Sequence, residues 1–215
     1  ANGASDDAAM MLVAAAPDAV GSDGRMPLHL VIAAKRPEEL WKRVLEAHPA
    51  AAATADAAGQ YPLHLAASAG ADKEALSLLL EAYSAAAATA DAGGKLPLAL
   101  ALANGASDDA AMMLVAAAPD AVGSDGRTPL HIASAAKRSK ELLQRVLEAH
   151  PAAAATADAD GNYPLHLAAL AGDDKEALAV LLGAHSAAAA TADAGGQYPF
   201  QLLPSSASDD AKALL

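Results

Sequence analysis

The chain has 215 residues, is 54% apolar but only 3% aromatic, and carries a formal charge of −12 from 26 acidic against 14 basic residues. Much of the apolar share is alanine, which forms helix readily and buries little area, so close helix packing is expected rather than a core of large side chains. Negative charge repels phosphate backbones and excludes nucleic acid as the default partner. The lack of cysteine removes disulfides and thiolate chemistry, and no apolar run nears the ~20 residues that a membrane-spanning helix needs.

Residues 1–25 and 103–127 are identical, and the likeness continues with scattered changes to about residue 200, a period of 102. Inside it lies a shorter one. Gly24, Gly59, Gly94, Gly126, Gly161 and Gly196 each open a similar phrase, at spacings of 35, 35, 32, 35 and 35. A period of 32 to 35 residues describes stacked supersecondary units, a solenoid.

In chain order, the first stretch (1–20) reads as a partial unit. Asn2-Gly3 ends a first helix, and Ser5–Ala16 forms a second that carries Met10, Met11, Leu12 and Val13. Full units then begin near residues 22, 57, 92, 124, 159 and 194, making one array over 1–215. The unit opened by Gly59 sets the pattern. Pro62 starts a short helix, where its missing N–H costs nothing, and Gly70 stops it. Asp72 caps a second helix with Ala75, Leu76, Leu78, Leu79 and Leu80 on its apolar face, ending near Ala82. The alanine-rich stretch 84–94 is then expected to run extended into the next turn. Asp with Gly three residues on (Asp56/Gly59, Asp91/Gly94, Asp158/Gly161, Asp193/Gly196) suits a turn, because Asp bonds its own backbone and Gly accepts positive φ. The fourth turn, VGSDG at 122–126, lacks that spacing. The Ser-Asp-Asp of 5–7, 107–109 and 208–210 reads as a helix cap followed by carboxylates at the positive helix end.

The phrases GRMPLHLV, GQYPLHLA, GKLPLALA, GRTPLHIA, GNYPLHLA and GQYPFQLL, with Leu79-Leu80, Leu142-Leu143 and Leu181-Leu182 in the second helices, resemble the ankyrin repeat. The resemblance implies an all-α helix-turn-helix solenoid of about six stacked repeats joined by extended loops or hairpins. It also implies a non-catalytic scaffold that binds other proteins along a concave face of turn tips and first helices. The contact residues would be Arg25, Met26, Gln60, Tyr61, Lys95, Leu96, Arg127, Thr128, Asn162, Tyr163, Gln197 and Tyr198. Tyr and Arg are common interface anchors; alternatively, each tyrosine ring only covers its own turn. The family's threonine survives only at Thr128, and its glycine after the second helix is replaced, for example by His48-Pro49 and Tyr83-Ser84.

His29, His64, His131 and His166 occupy the family's Pro-Leu-His position, which implies structural hydrogen bonds between the first helix and turn backbone. One per unit, they stand too far apart to share a metal. His48, His150 and His185 end second helices, where a cation complements the helix dipole. Asp158-Ala159-Asp160-Gly161-Asn162 lacks the terminal Glu of a calcium loop and reads as a turn. No nucleophile elbow or phosphate-binding glycine loop occurs. No catalytic, metal or cofactor residue is assigned. Basic residues at Lys35-Arg36 and Lys137-Arg138, with Arg25, Lys95 and Arg127, either mark one positive edge or serve solubility.

The alternative function is a structural protein. An array whose ends offer apolar surface can stack on further copies of itself and form a filament or tube. The AAAATADA stretches, nearly free of large side chains, would allow tight lateral approach. Partners are therefore a heterologous protein or further copies, the latter giving a homopolymer through the chain ends.

Overall fold

The computed structural model describes residue 16 and residues 18–172 and 175–215. The second helix expected from Ser5, with Met10 to Val13, lies outside the described residues. Among the described residues there is no strand, and no helix is long and apolar enough to cross a membrane. The chain forms two compact units, Ala1–Met113 and Leu114–Leu215.

In the first unit, the short first helices are α1 (Pro27–Ala33), α3 (Pro62–Ala69) and α5 (Pro97–Ala103). The longer second helices are α2 (Glu38–Ala47), α4 (Lys73–Ala82) and α6 (Asp108–Ala117), the last running on across the division. In the second unit the first helices are α7 (Pro129–Ala135), α9 (Pro164–Ala171) and α11 (Pro199–Leu202). They alternate with α8 (Lys140–Ala149), α10 (Lys175–Ala184) and α12 (Asp209–Leu214).

Every first helix has proline as its first residue, after an N-cap in extended conformation such as Tyr61 (ψ 159°) or Leu96 (ψ 153°). Proline imposes both features, since it fixes its own φ and pushes the preceding residue out of helical space. α3 and α9 stop at Gly70 and Gly172, which take left-handed φ of 76° and 71°. There the N–H of Gly70 reaches the Ala67 carbonyl and that of Ala71 the Ala66 carbonyl, closing the last turn. The side chains of Asp72, Ser107, Ser139 and Ser208 accept the backbone N–H three residues on, so each caps a second helix.

Second helices end at extended residues (His48, Tyr83, His150, His185) with φ between −146° and −157°. The segment after each of them departs from the expected extended run. Pro49–Ala53, Ser84–Ala88, Pro151–Ala155 and Ser186–Ala190 are 3₁₀ helices. Alanine offers no side chain to compete with the backbone for bonds, and the hydroxyls of Thr54, Thr89, Thr156 and Thr191 tie back to the carbonyl four residues earlier. Their methyls are used as packing: Ala51, Ala52, Ala86, Ala87, Ala153 and Ala154 are buried. The 32-residue spacing has the same cause. After α6 the chain makes a simple turn at Pro119-Asp120 instead of a 3₁₀ helix.

Within the first unit α1 packs on α3 and α3 on α5, while α2 packs on α4. Within the second, α7, α9 and α11 form one row and α8, α10 and α12 another. Leu28, Ile32, Leu63, Leu76 and Leu79 are fully buried in the first unit, and Leu130, Leu142, Leu143, Leu165 and Leu178 in the second.

Candidate functional site: the turn tips

Each turn is closed by its own aspartate. The N–H of Asp56 donates to the Gln60 carbonyl, and Asp56 Oδ1 accepts the N–H groups of Ala58 and Gln60 at 2.9 and 3.0 Å. Asp158 does the same with Asp160 and Asn162. In the turns that lack this spacing, Gly21 and Gly123 hold the first position, and the carboxylate comes from two residues later. Asp23 and Asp125 accept the N–H of Arg25 and Arg127 at 3.2 and 3.1 Å, and the backbone bonds of the turn are unchanged.

Successive turns bond to one another. The Ala57 N–H donates to the Asp23 carbonyl and that of Ala92 to the Ala58 carbonyl, each at 2.9 Å. In the second unit Ala159 bonds to Asp125 and Ala194 to Asp160, again at 2.9 Å. This contact leaves no room for a side chain on the opening glycine. A Cβ on Gly24 or Gly126 would stand 2.7 or 2.8 Å from the next turn's backbone nitrogen. A second set of bonds joins side chains across the same step: Arg25 to Asp56 at 3.3 Å, Gln60 to Asp91 at 3.3 Å, and Arg127 to Asp158 at 3.2 Å. Burial alone would raise the pKa of Asp158. The N–H groups of Asn162 and Asp160 and the Arg127 and Asn162 side chains outweigh it and hold the carboxyl below 3.8. Asp91 is likewise lowered against burial, by the Lys95 and Gly93 N–H groups and Gln60.

The four buried histidines extend this network. His29, His64, His131 and His166 are 0% exposed. Each Nδ1 accepts the N–H of its own helix N-cap, from Met26, Tyr61, Thr128 and Tyr163, at 3.2–3.3 Å. An accepting Nδ1 is unprotonated, so the ring proton sits on Nε2. That N–H donates to a carbonyl of the following repeat for His29 (Gln60) and His131 (Asn162), and to a carbonyl near the end of its own repeat for His64 (Thr89) and His166 (Thr191). His29 and His131 thus bind one repeat to the next, while His64 and His166 bind a first helix to the segment that leads into the next turn.

The twelve expected contact residues divide by exposure. Lys95, Gln197 and Tyr198 are exposed, and Arg25, Gln60, Arg127 and Asn162 are half-buried at the tips. Tyr61 and Tyr163 are half-buried too. Their rings lie over His64 and His166 at 5.9 Å and against Tyr83 and His185 at 5.5 and 5.3 Å. Met26, Leu96 and Thr128 are 3%, 1% and 4% exposed, so a partner at the tips does not reach them. The extended N-cap turns a modest side chain inward, whereas a tyrosine is long enough to return to the surface.

A family model described as "Ankyrin repeat" matches residues 160–192. Among solved structures, the human ASB11 ankyrin repeat domain is similar over 97% of this chain and 95% of that one, with a TM-score of 0.70 at 20% identity. The ankyrin repeat domain of Bcl-3 is similar over 94% and 89%, with a TM-score of 0.67 at 19% identity. The chain has the ankyrin-repeat fold. No curated protein sequence matches it.

In ankyrin terms, the turn aspartates are visible in the sequence, but their second task, holding the tip residue of the repeat before, is not obvious there. A signal for it is present. Arg25 and Asp56, Gln60 and Asp91, and Arg127 and Asp158 are all 31 residues apart.

Proposed function

We propose that the chain is a non-catalytic protein-binding scaffold whose contact surface is the row of turn tips in each unit, with the adjoining first helices. One observation carries the reading: the tips are bonded turn to turn at 2.9 Å, so their side chains are held in fixed register before any partner arrives. Preorganisation of this kind lowers the ordering cost of binding. The contact residues are Arg25, Gln60 and Lys95 in the first unit and Arg127, Asn162, Gln197 and Tyr198 in the second, with Tyr61 and Tyr163 presenting ring edges. The ankyrin fold is generally a protein-interaction module, which agrees with this assignment.

Arg25 and Arg127 also hold buried aspartates, so the test uses tip residues outside the aspartate pairs. The combined change Lys95→Glu, Gln197→Ala and Tyr198→Ala is compared with Glu81→Ala and Glu148→Ala on the second helices. Loss of captured partner in the first variant alone, at unchanged helicity, supports the reading. Retention of the partner by that variant removes the tips from the interface.

A second reading, end-to-end association of copies, is favoured by Phe200. It is 52% exposed, at a helix position where Leu130 and Leu165 are 0% and 2% exposed under the following repeat. Tyr198 stacks beside it at 6.1 Å. Concentration-dependent growth in light scattering that Phe200→Glu abolishes is expected if this face pairs. A constant mass of 21.2 kDa excludes it.

A further inference from the structure

Each buried histidine works as a hydrogen-bond acceptor on one side and a donor on the other, and only the neutral ring can do both. A second proton would go to Nδ1. There it would face the N–H of Met26, Tyr61, Thr128 or Tyr163, donor against donor, inside a site with no water access. The His131 site also holds the Thr128 hydroxyl, 2.8 Å from Nδ1. The bond lost is the one that fixes the N-cap, and the ring it displaces carries the bond to the following turn (His29, His131) or to the segment that leads into it (His64, His166).

We propose that these four histidines make the repeat junctions acid-labile: protonation opens the contact between a first helix and the following turn, or the segment that leads into that turn, and each unit loosens junction by junction as the pH falls. Repeats contact only their neighbours, so one opened junction need not unfold the rest.

The surroundings set the direction. Burial lowers the pKa of all four rings below 6.5. Nearby charges modify this without reversing it. His29 faces Asp56 and Arg25; His64 faces Asp91 and Asp56; His131 faces Asp158, Arg127 and Asp125; His166 faces Asp193 and Asp158. The rings of Tyr61 and Tyr163 also lie over His64 and His166. With the folded-state value depressed, the unfolded chain takes the proton first, so stability declines as pH drops below 6.5 towards the lowered value. Asp91 and Asp158 are held below 3.8 and stay ionised through that interval.

The last repeat supplies the control substitution. Gln201 stands where four of the other repeats have histidine and one has Ala99, and its Oε1 accepts the Tyr198 N–H at 2.9 Å. Glutamine thus reproduces the acceptor, keeps an amide donor for the next carbonyl, and does not titrate. Thermal melts at pH 7 and pH 5 are compared for the native chain and for the variant with His29→Gln, His64→Gln, His131→Gln and His166→Gln. The native chain is expected to lose roughly 5 °C or more, over a broadened transition, and the variant less than half of that. Equal losses in the two proteins, or no loss in the native chain, overturn the proposal. If the fourfold variant does not fold, NMR titration of the native imidazoles decides: rings that titrate below 6.5 with concurrent loss of the Tyr61 and Tyr163 amide signals support it, and rings that titrate at or above 6.5 overturn it.

Discussion

The Nε–H of Arg127 donates to Asp158 Oδ2 at 3.2 Å across a gap of 31 residues, from a side chain 33% exposed to one 1% exposed. The asymmetry decides which partner matters more. Asp158 also accepts the N–H groups of Asp160 and Asn162, so its carboxylate is the hub of both its own turn and the step to the preceding one. Asp158→Ala removes about three bonds worth about 1 kcal/mol each and should cost about 3 kcal/mol. Arg127→Ala leaves the carboxylate with its backbone donors and should cost about 1 kcal/mol. Urea denaturation of the two variants checks the order, and a reversed order would move the hub to the arginine.

The opening glycines separate two reasons for having no side chain. Gly126, Gly161 and Gly196 all have φ of +78°. A Cβ on Gly126 or Gly161 would stand 2.8 Å from the backbone nitrogen of Ala159 or Ala194, while one on Gly196 would meet nothing within 4 Å. Gly196→Ala should therefore cost only the left-handed strain, about 1 kcal/mol. Gly126→Ala and Gly161→Ala should cost about 2–4 kcal/mol, because the turn-to-turn bond must also lengthen. Denaturation midpoints for the three variants test this. Equal costs would mean that conformation alone selects glycine here.

Much of this was legible from residues whose role is set by their own backbone. Pro62 and Pro164 start helices because proline dictates local dihedrals, Gly70 ends one, and Asp72 caps the next. Residues that depend on a neighbour were harder to read. The alanines at 85–88 carry no pattern distinguishing an extended run from 3₁₀ helix, and burial of Ala86 and Ala87 against adjoining helices settles it. Met26, Leu96 and Thr128 share the position of Tyr61, yet only side-chain length against a fixed N-cap direction separates buried from accessible. The histidines were identified as structural, but that the second bond of His29 and His131 crosses to the next repeat required the fold.

Ser134 is the clearest site for improvement. It is 0% exposed on α7, and its hydroxyl has no hydrogen-bond partner among the described residues. Ala67 and Ala169 hold the corresponding place on α3 and α9 and are 1% and 0% exposed. An alanine methyl therefore fits this position in the neighbouring repeats. Ser134→Ala removes an unpaired polar group and raises helix propensity, for an expected gain of about 1–2 kcal/mol. A rise in the melting temperature is the readout, and a fall would show that the hydroxyl is satisfied in solution.

Lys35 and Lys137 stand at φ of +49° and +52°, where Gly70 and Gly172 close the equivalent helices at 76° and 71°. Their backbone bonds match those of the glycines: Lys35 and Arg36 donate to Ile32 and Val31, as Gly70 and Ala71 do to Ala67 and Ala66. The lysines thus make the same helix closure against the steric preference of a Cβ, which disfavours left-handed backbone by about 1 kcal/mol. Lys137→Gly relieves that strain but loosens the unfolded chain, so the net gain should be about 0.5 kcal/mol, and Lys35→Gly should behave alike. The reverse change sharpens the test. Gly105 has φ of +77° with nothing within 4 Å of its missing Cβ, so Gly105→Lys meets strain without collision and should cost about 1 kcal/mol. Chemical denaturation of Lys137→Gly and Gly105→Lys should give shifts of opposite sign. A loss of stability in both would show that the lysine side chains stabilise the bend by contacts outweighing the strain.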